Sequence, residues 1–277
     1  MNQIALVVHT CDRYQLLYTG FEYFFKKHFP YGDVPISYYF LTEEVDYPSN
    51  IFTNIKTGKG EWSDRLLSAL EQIPEEYVIY FQEDMWLTKP VDSDTIKQIL
   101  DFVLKEQTDL FKLSSNGVYK TNPAGKFING LAVTLLDNSR SQYLMSHQVT
   151  IWNKVFLMGQ LRFKEHPWRN ERKGTERLKV LNPEIYHIDL FAENDHHPIN
   201  NNHSSARVSH YYTVSQNAQL NGYAHAYIST MRVDTDPAIR EYAEKLAHHI
   251  KNNFTHDGMM PPRKEDIFKK IKKLFKK

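Results

Sequence analysis

The first third of the chain alternates short apolar runs with amphipathic stretches, an order that few folds accept. Residues 3–9 ("QIALVVH"), 36–41 ("ISYYFL") and 77–81 ("YVIYF") are rich in β-branched and aromatic side chains. Runs of this kind suit strands buried on both faces. Between them, residues 14–28 and 63–72 carry helical patterns. Trp62, Leu66, Leu70 and Ile73 recur at three- and four-residue spacing, with Ser63 as N-cap and Pro74 as terminator. After Pro90, Asp92 or Ser93 caps a helix that turns Ile96, Ile99, Leu100 and Val103 inward, and "LFKL" at 110–113 is a further strand. Strand and helix in strict alternation predict an α/β protein: a mostly parallel, Rossmann-like central sheet of four or five strands, flanked by helices.

The middle is less regular. Residues 117–130 are rich in Asn, Gly, Thr and Lys, "LAVTLL" at 131–136 reads as a strand, and "QVTIWNKVFLMGQL" at 148–161 reads as a helix. "DHHPINNNHSS" at 195–205 reads as a loop, residues 238–252 as a last helix, and "GMMPP" at 258–262 as a hinge before the tail.

Several classes are excluded at this level. The start, "MNQIALVVHTCDRY", lacks the pattern of a signal peptide, and no apolar run approaches the ~18 residues of a membrane span. Cys11 is the only cysteine, which rules out an internal disulfide and multi-cysteine metal sites. A cytoplasmic location is therefore expected, and the sequons at Asn202 and Asn253 are expected to be without consequence. Residues 263–277 hold eight Lys/Arg against two acids, leaving 26 basic and 31 acidic residues elsewhere. The body is thus mildly acidic and no nucleic-acid binder. There is no "GxxxxGK[ST]", "GxGxxG" or "GxSxG", against kinase, dehydrogenase and serine-hydrolase readings.

The chemistry gathers at strand ends. "VIYFQEDMWL" runs from a buried strand straight into Glu83 and Asp84. In open α/β sheets, ligands bind outside the carboxyl ends of the strands. Two carboxylates there can hold a hard divalent cation, Mn²⁺ or Mg²⁺, and through it a diphosphate; the other reading is a cap on the turn into "TKP". Tyr80, Phe81 and Trp86 frame the pair. At the end of the first strand, "HTCDRY" sets Thr10, Asp12 and Arg13 at the same edge. Asp12 suits a base or ribose, or the N-cap of the next helix, and Arg13 suits a phosphate. "HPWRNERKGTERL" (166–178) crowds an aromatic, a carboxylate and several arginines together with no clean amphipathic period, and reads as a site loop. Glu171 can serve as a general base, or pair with Arg169, Arg172 or Arg177 on a surface helix.

With "VVHTCDRY", "EWSDRLLSALEQIPEEYVIYFQED" and "QVTIWNKVF…HPWRNERKGTERL", the chain resembles the nucleotide-sugar-dependent glycosyltransferases of the GT-A fold over roughly residues 3–190. The resemblance implies that "QED" stands at the acidic "DxD"-type motif, with Gln82 replacing the first Asp. It also implies that Asp64 and Arg65, with Trp62, lie near the nucleotide, that Gln148 and Trp86 join Trp168 on the acceptor side, and that Glu171 is the base of an inverting enzyme. His187 would be a third metal ligand or a satisfied core histidine. The implied organisation is a GT-A-like domain over 1–260, with a nucleotide-binding half (1–115), an acceptor half (116–215) and a helical extension (216–260), followed by a tail (261–277). In the tail, Ile267, Phe268, Ile271, Leu274 and Phe275 share one helical face among lysines. That pattern suits the surface of an anionic membrane, with a protein-docking helix as the other reading. The expectation is a hexosyltransferase of surface-polysaccharide synthesis, peripheral on the inner face of the cell membrane, that moves sugar from a nucleoside-diphosphate sugar to a glycan or lipid-linked acceptor. A non-catalytic nucleotide- or carbohydrate-binding module and a nucleotidyltransferase are the alternatives.

Overall fold

In the computed structural model, which describes residues 2–200 and 208–261, the alternating runs become strands β1 (Ile4–His9), β2 (Ser37–Thr42), β3 (Thr53–Lys56), β4 (Tyr77–Gln82), β5 (Met85–Leu87), β6 (Leu110–Ser115), β7 (Thr121–Ile128), β8 (Leu131–Leu136), β9 (Thr150–Asn153), β10 (Ile185–Glu193) and β11 (Ser209–Thr213). The helices among them are α1 (Tyr18–His28), α2 (Trp62–Gln72), α3 (Ser93–Glu106), α4 (Lys154–Gln160) and α5 (Pro167–Leu181). All eleven strands join one sheet, in the order β3-β2-β1-β4-β9-β6-β10-β11-β5, with β8 pairing both β10 and β7. Eight run the same way; β5, β8 and β9 are reversed.

β1 lies between β2 and β4, parallel to both, and its six residues are all buried. The register sets His9 beside Leu41 and Gln82, so the carboxyl ends of the three strands share one edge. α2 closes one side of this region by packing Leu66, Ala69 and Leu70 with Val78, Tyr80 and Trp152. Each such fully buried aliphatic or aromatic side chain contributes roughly 1.5–3 kcal/mol. α1 approaches β5 directly: a Cβ on Gly20 would fall 2.2 Å from the Trp86 indole, so only glycine lets helix and ring meet.

Several expectations are corrected, among them the N-cap of α2, which is Glu61 and not Ser63. Residues 148–161 are not one helix. Thr150, Ile151 and Trp152 are buried in β9, antiparallel between β4 and β6, and Asn153 then caps α4 by accepting from the Phe156 amide at 3.0 Å. Residues 166–178 are not a loop but most of α5, which has His166 at its N-cap, Pro167 in its first turn and Asn182 in the left-handed conformation (φ 48°) at its end. The sheet also exceeds the four or five strands expected, chiefly through the β7–β8 hairpin, β9 and the strands after residue 185.

The chain divides into two compact units, Met1–Val214 and a second beginning at Ser215. The second holds the short ribbon β12 (Ser215–Gln216) and β13 (Gln219–Leu220), then helices α6 (Ala224–Arg232) and α7 (Pro237–Lys251). Asp236 caps α7 by accepting from the Ala238 amide at 2.8 Å, and His256 Nε2 lies 2.7 Å from Ser215 Oγ. No helix among the described residues is long and apolar enough to cross a membrane. The basic amphipathic stretch of the tail lies outside the described residues, as do residues 201–205 of the expected loop.

Candidate active site

At the carboxyl edge of β1 and β4 the first unit opens a cavity of about 380 Å³. His9, Thr10 and Cys11 reach it from the end of β1, Gln82 and Glu83 from β4, and Trp62 and Arg65 from α2. His147 and Gln148 come from the segment before β9; Pro167, Trp168 and Glu171 come from α5. Residues up to 162 positions apart meet here because parallel strands deliver successive loops to the same edge.

One wall is aromatic. Trp62 lies 5.4 Å from the His9 ring and 4.2 Å from the His147 ring, and His9 Nδ1 is 3.2 Å from the Tyr80 hydroxyl. Burial holds both histidines well below the usual imidazole range, His147 at about 3, so both are neutral at physiological pH.

The acidic residues make the other character of the site. Glu83 is buried, and its carbonyl accepts from Trp86 Nε1 at 3.0 Å. Burial first, and the neighbouring Asp84 charge second, push the Glu83 carboxyl well above its ordinary value; burial does the same to Asp84. Glu193, at the end of β10, is raised to about 7 by burial and then by the charges of Asp84 and Glu171. Glu171 Oε1 accepts from the His147 amide at 3.0 Å, and its pKa is raised by burial against the opposing pull of that bond and of Lys112. Lys112 itself is wholly buried on β6 and donates to Ser146 Oγ at 2.8 Å. Glu171 has none of the arginine partners weighed for it: Arg177 is bound to Glu165, which also accepts from Asn170 at 2.8 Å.

The expected site residues separate into two groups. The cavity brings together Thr10, Arg65, Glu83, Gln148, Trp168 and Glu171, with Trp168 at its rim and 67% exposed. Arg65 is buried; its guanidinium donates to the Thr10 carbonyl, and to Thr57 Oγ1 at 3.2 Å, tying α2 to the ends of β1 and β3. Asp84 adjoins the cavity through Glu83 but does not line it. Asp12 neither faces the cavity nor caps a helix, since its carboxylate accepts from the amides of Glu43, Glu44 and Val45 at 2.9, 2.8 and 3.1 Å. Asp64 accepts from the Lys164 amide at 3.1 Å, and Arg13 is exposed away from the lining. Trp86 is corrected outright: it is fully buried against Phe24 and cannot reach an acceptor. His187 is a core histidine, with Nδ1 3.0 Å from Asn200 Nδ2 and Nε2 3.2 Å from the Ser114 carbonyl. Sequence reasoning missed Glu193, Lys112 and His147.

No protein-family model and no curated protein sequence matches the chain. Among solved structures it is similar to UTP-bound UGPase from Acinetobacter baumannii (TM-score 0.50, 8% identity, 90% of this chain and 100% of that one). It is also similar to S. aureus TarS 1–349 in complex with UDP-GlcNAc (TM-score 0.47, 14% identity, 90% and 73%). The UGPase likeness shows a shared α/β fold. Among the described residues no three His, Cys, Asp or Glu side chains converge to hold a metal ion by themselves. Glu83 and Asp84 nevertheless fit a hard cation chemically: they are adjacent oxygen donors whose pKa values are both raised by burial, that of Glu83 also by the Asp84 charge, and phosphate oxygens and water would complete the shell.

Proposed function

We propose that the chain is a glycosyltransferase that takes its sugar from a nucleoside-diphosphate sugar. The observation that carries this reading is that Glu171 and Glu83 line one cavity, with neutral aromatic and imidazole surface around them and Trp168 at the rim. Glu83 and Asp84 would hold a divalent cation, which when bound neutralises the donor's diphosphate. Glu171 takes the proton of an acceptor hydroxyl as that oxygen bonds to the anomeric carbon and the bond from that carbon to the diphosphate breaks. The nucleoside diphosphate leaves, and the anomeric centre inverts. The His147 amide and the Lys112 charge favour the ionised Glu171 that this step needs. Trp168 lies on the acceptor side, and the acceptor is a glycan or lipid-linked glycan of surface-polysaccharide synthesis.

The test pairs binding with turnover. UDP, GDP, dTDP and CMP sugars are screened by thermal shift with and without manganese. A selective ligand at a hundredfold excess over its Kd adds about 2.7 kcal/mol of apparent stability. Glu171→Gln is expected to keep the shift and to lose on the order of 10²–10⁴-fold in transfer; undiminished transfer removes Glu171 as the base. A second reading, nucleotidyl transfer, is favoured by the UTP-bound UGPase likeness. The products separate the two: pyrophosphate release supports nucleotidyl transfer, and nucleoside diphosphate release supports glycosyl transfer.

A further inference from the structure

The segment that brings Trp168 and Glu171 to the cavity also carries exposed charge that the proposed chemistry does not use. Between residues 162 and 173, Arg162, Lys164, Arg169, Arg172 and Lys173 are all exposed, and the segment's two acids are withdrawn from the surface charge. Glu165 is buried in its ion pair with Arg177, and Glu171 lines the cavity. Every exposed ionic group of the segment is therefore cationic. Two large apolar side chains stand among them: Phe163 is 77% exposed, with the Lys164 ammonium 4.8 Å from its ring centre, and Trp168 is 67% exposed.

The segment is held rigidly. The Ser63 amide donates to the Glu165 carbonyl at 3.1 Å and the Glu165 amide donates back to Ser63 Oγ at 2.9 Å, fastening the turn to α2. His166 caps α5 through the Arg169 amide, and Asn170 is buried with its amide on Glu165 and on the Gln160 carbonyl. The exposure of Phe163 and Trp168 is thus imposed by the fold beneath them.

We infer that this segment, which exposes Phe163, Trp168 and the five cations and meets the cavity at Trp168, docks on an anionic membrane surface, so that the cavity receives its acceptor from the lipid interface. Charge alone would equally suit a soluble polyanion, but a polyanion gives no reason for a phenylalanine and a tryptophan exposed in the same segment. Aromatic rings at the headgroup level with lysine and arginine around them are what an anionic interface rewards. The inference rests on the proposed transfer reaction only for the identity of the acceptor, a lipid-linked glycan.

Trp168 supplies the probe, because Trp86 and Trp152 are buried and Trp62 is half-buried. The full chain is mixed with vesicles of phosphatidylcholine alone, or of phosphatidylcholine with phosphatidylglycerol, carrying brominated acyl chains. Co-sedimentation with the anionic vesicles alone is expected, with fluorescence quenching that Trp168→Phe removes. Arg169→Glu combined with Arg172→Glu is expected to weaken vesicle binding on the order of tenfold or more, although the lysine-rich tail is intact in every variant. Vesicle binding without Trp168 quenching, or binding unchanged by the two charge reversals, overturns the inference. So does binding to a soluble anionic polymer in place of vesicles. Release of nucleoside diphosphate in vesicle-free solution that contains a water-soluble glycan acceptor reads the transfer chemistry separately, so failure of the surface and failure of the reaction are distinguishable.

Discussion

Replacing Lys112 with methionine is expected to stabilise the protein while weakening its chemistry. The Lys112 ammonium is wholly buried, donates to Ser146 Oγ at 2.8 Å, lies 5.0 Å from the Tyr119 ring centre, and forms no ion pair among the described residues. Burial lowers its pKa from 10.5 to about 7. Between those two values the unfolded chain binds a proton that the folded protein does not, so this residue makes stability rise with pH from about 7 to about 10.5. Below pH 7 its cost is present in full. Converted whole, the displacement is roughly 5 kcal/mol; loss of the Ser146 hydrogen bond and of the cation–π contact offsets about 2 kcal/mol of the gain from methionine. Lys112→Met should therefore gain about 2–3 kcal/mol at pH 7, or roughly 5–10 °C in Tm for a unit of this size. The gap from wild type should close as pH approaches 10. Transfer should fall, because the Lys112 charge helps keep Glu171 ionised, and Ser146 precedes the His147 amide that holds it. The acidic limb of the pH–rate profile should move upward. Thermal melts across pH and steady-state rates measure both. A loss of roughly 3–5 kcal/mol in Lys112→Met would refute the reasoning, since that is the signature of breaking a buried ion pair.

Three further outcomes follow from specific contacts. Asp12→Ala releases the amides of residues 43–45 and should cost about 2–3 kcal/mol in urea unfolding; a cost near zero contradicts the clasp. Gly20→Ala drives a Cβ into Trp86 and should cost about 3 kcal/mol, with a changed near-ultraviolet signal from the displaced indole; an unchanged signal and Tm would be inconsistent with the packing of α1 on β5. Glu83→Gln combined with Asp84→Asn should raise Tm at neutral pH without metal, by removing two carboxylates whose burial opposes their ionisation, and should abolish any manganese-dependent shift with a nucleotide sugar. A retained manganese shift removes the pair as the cation site.

The parallel strands were readable because burial on both faces leaves an unbroken apolar run, as in β1 and β4, and the acid pair was readable because it breaks such a run. Asp12 was misread for a physical reason: its partners are the amides of a loop thirty-one to thirty-three residues away, and local spacing carries no trace of them. β9 was read as helix because four residues are too short for a period of two to outweigh the helical pattern of α4 that follows. α5 was read as a loop because its buried face includes polar or small residues, Asn170, Gly174 and Thr175, yet Pro167 in its first turn was a start signal present in the sequence.

Glu193 is the instructive omission. β10, "IYHIDLFAE", is buried throughout and ends on an acid, just as β4 runs into Glu83 and Asp84. The rule that singled out the pair, a carboxylate at the carboxyl end of a strand buried on both faces, applies to it unchanged. Burial first, and then the charges of Asp84 and Glu171, raise the pKa of Glu193, so the three share one electrostatic neighbourhood although they come from three separate elements. A cation near Asp84 would lower the pKa of Glu193 together with those of the pair. Manganese should therefore release protons on binding, and Glu193→Gln should diminish that release while leaving Glu83 and Asp84 in place to bind the ion.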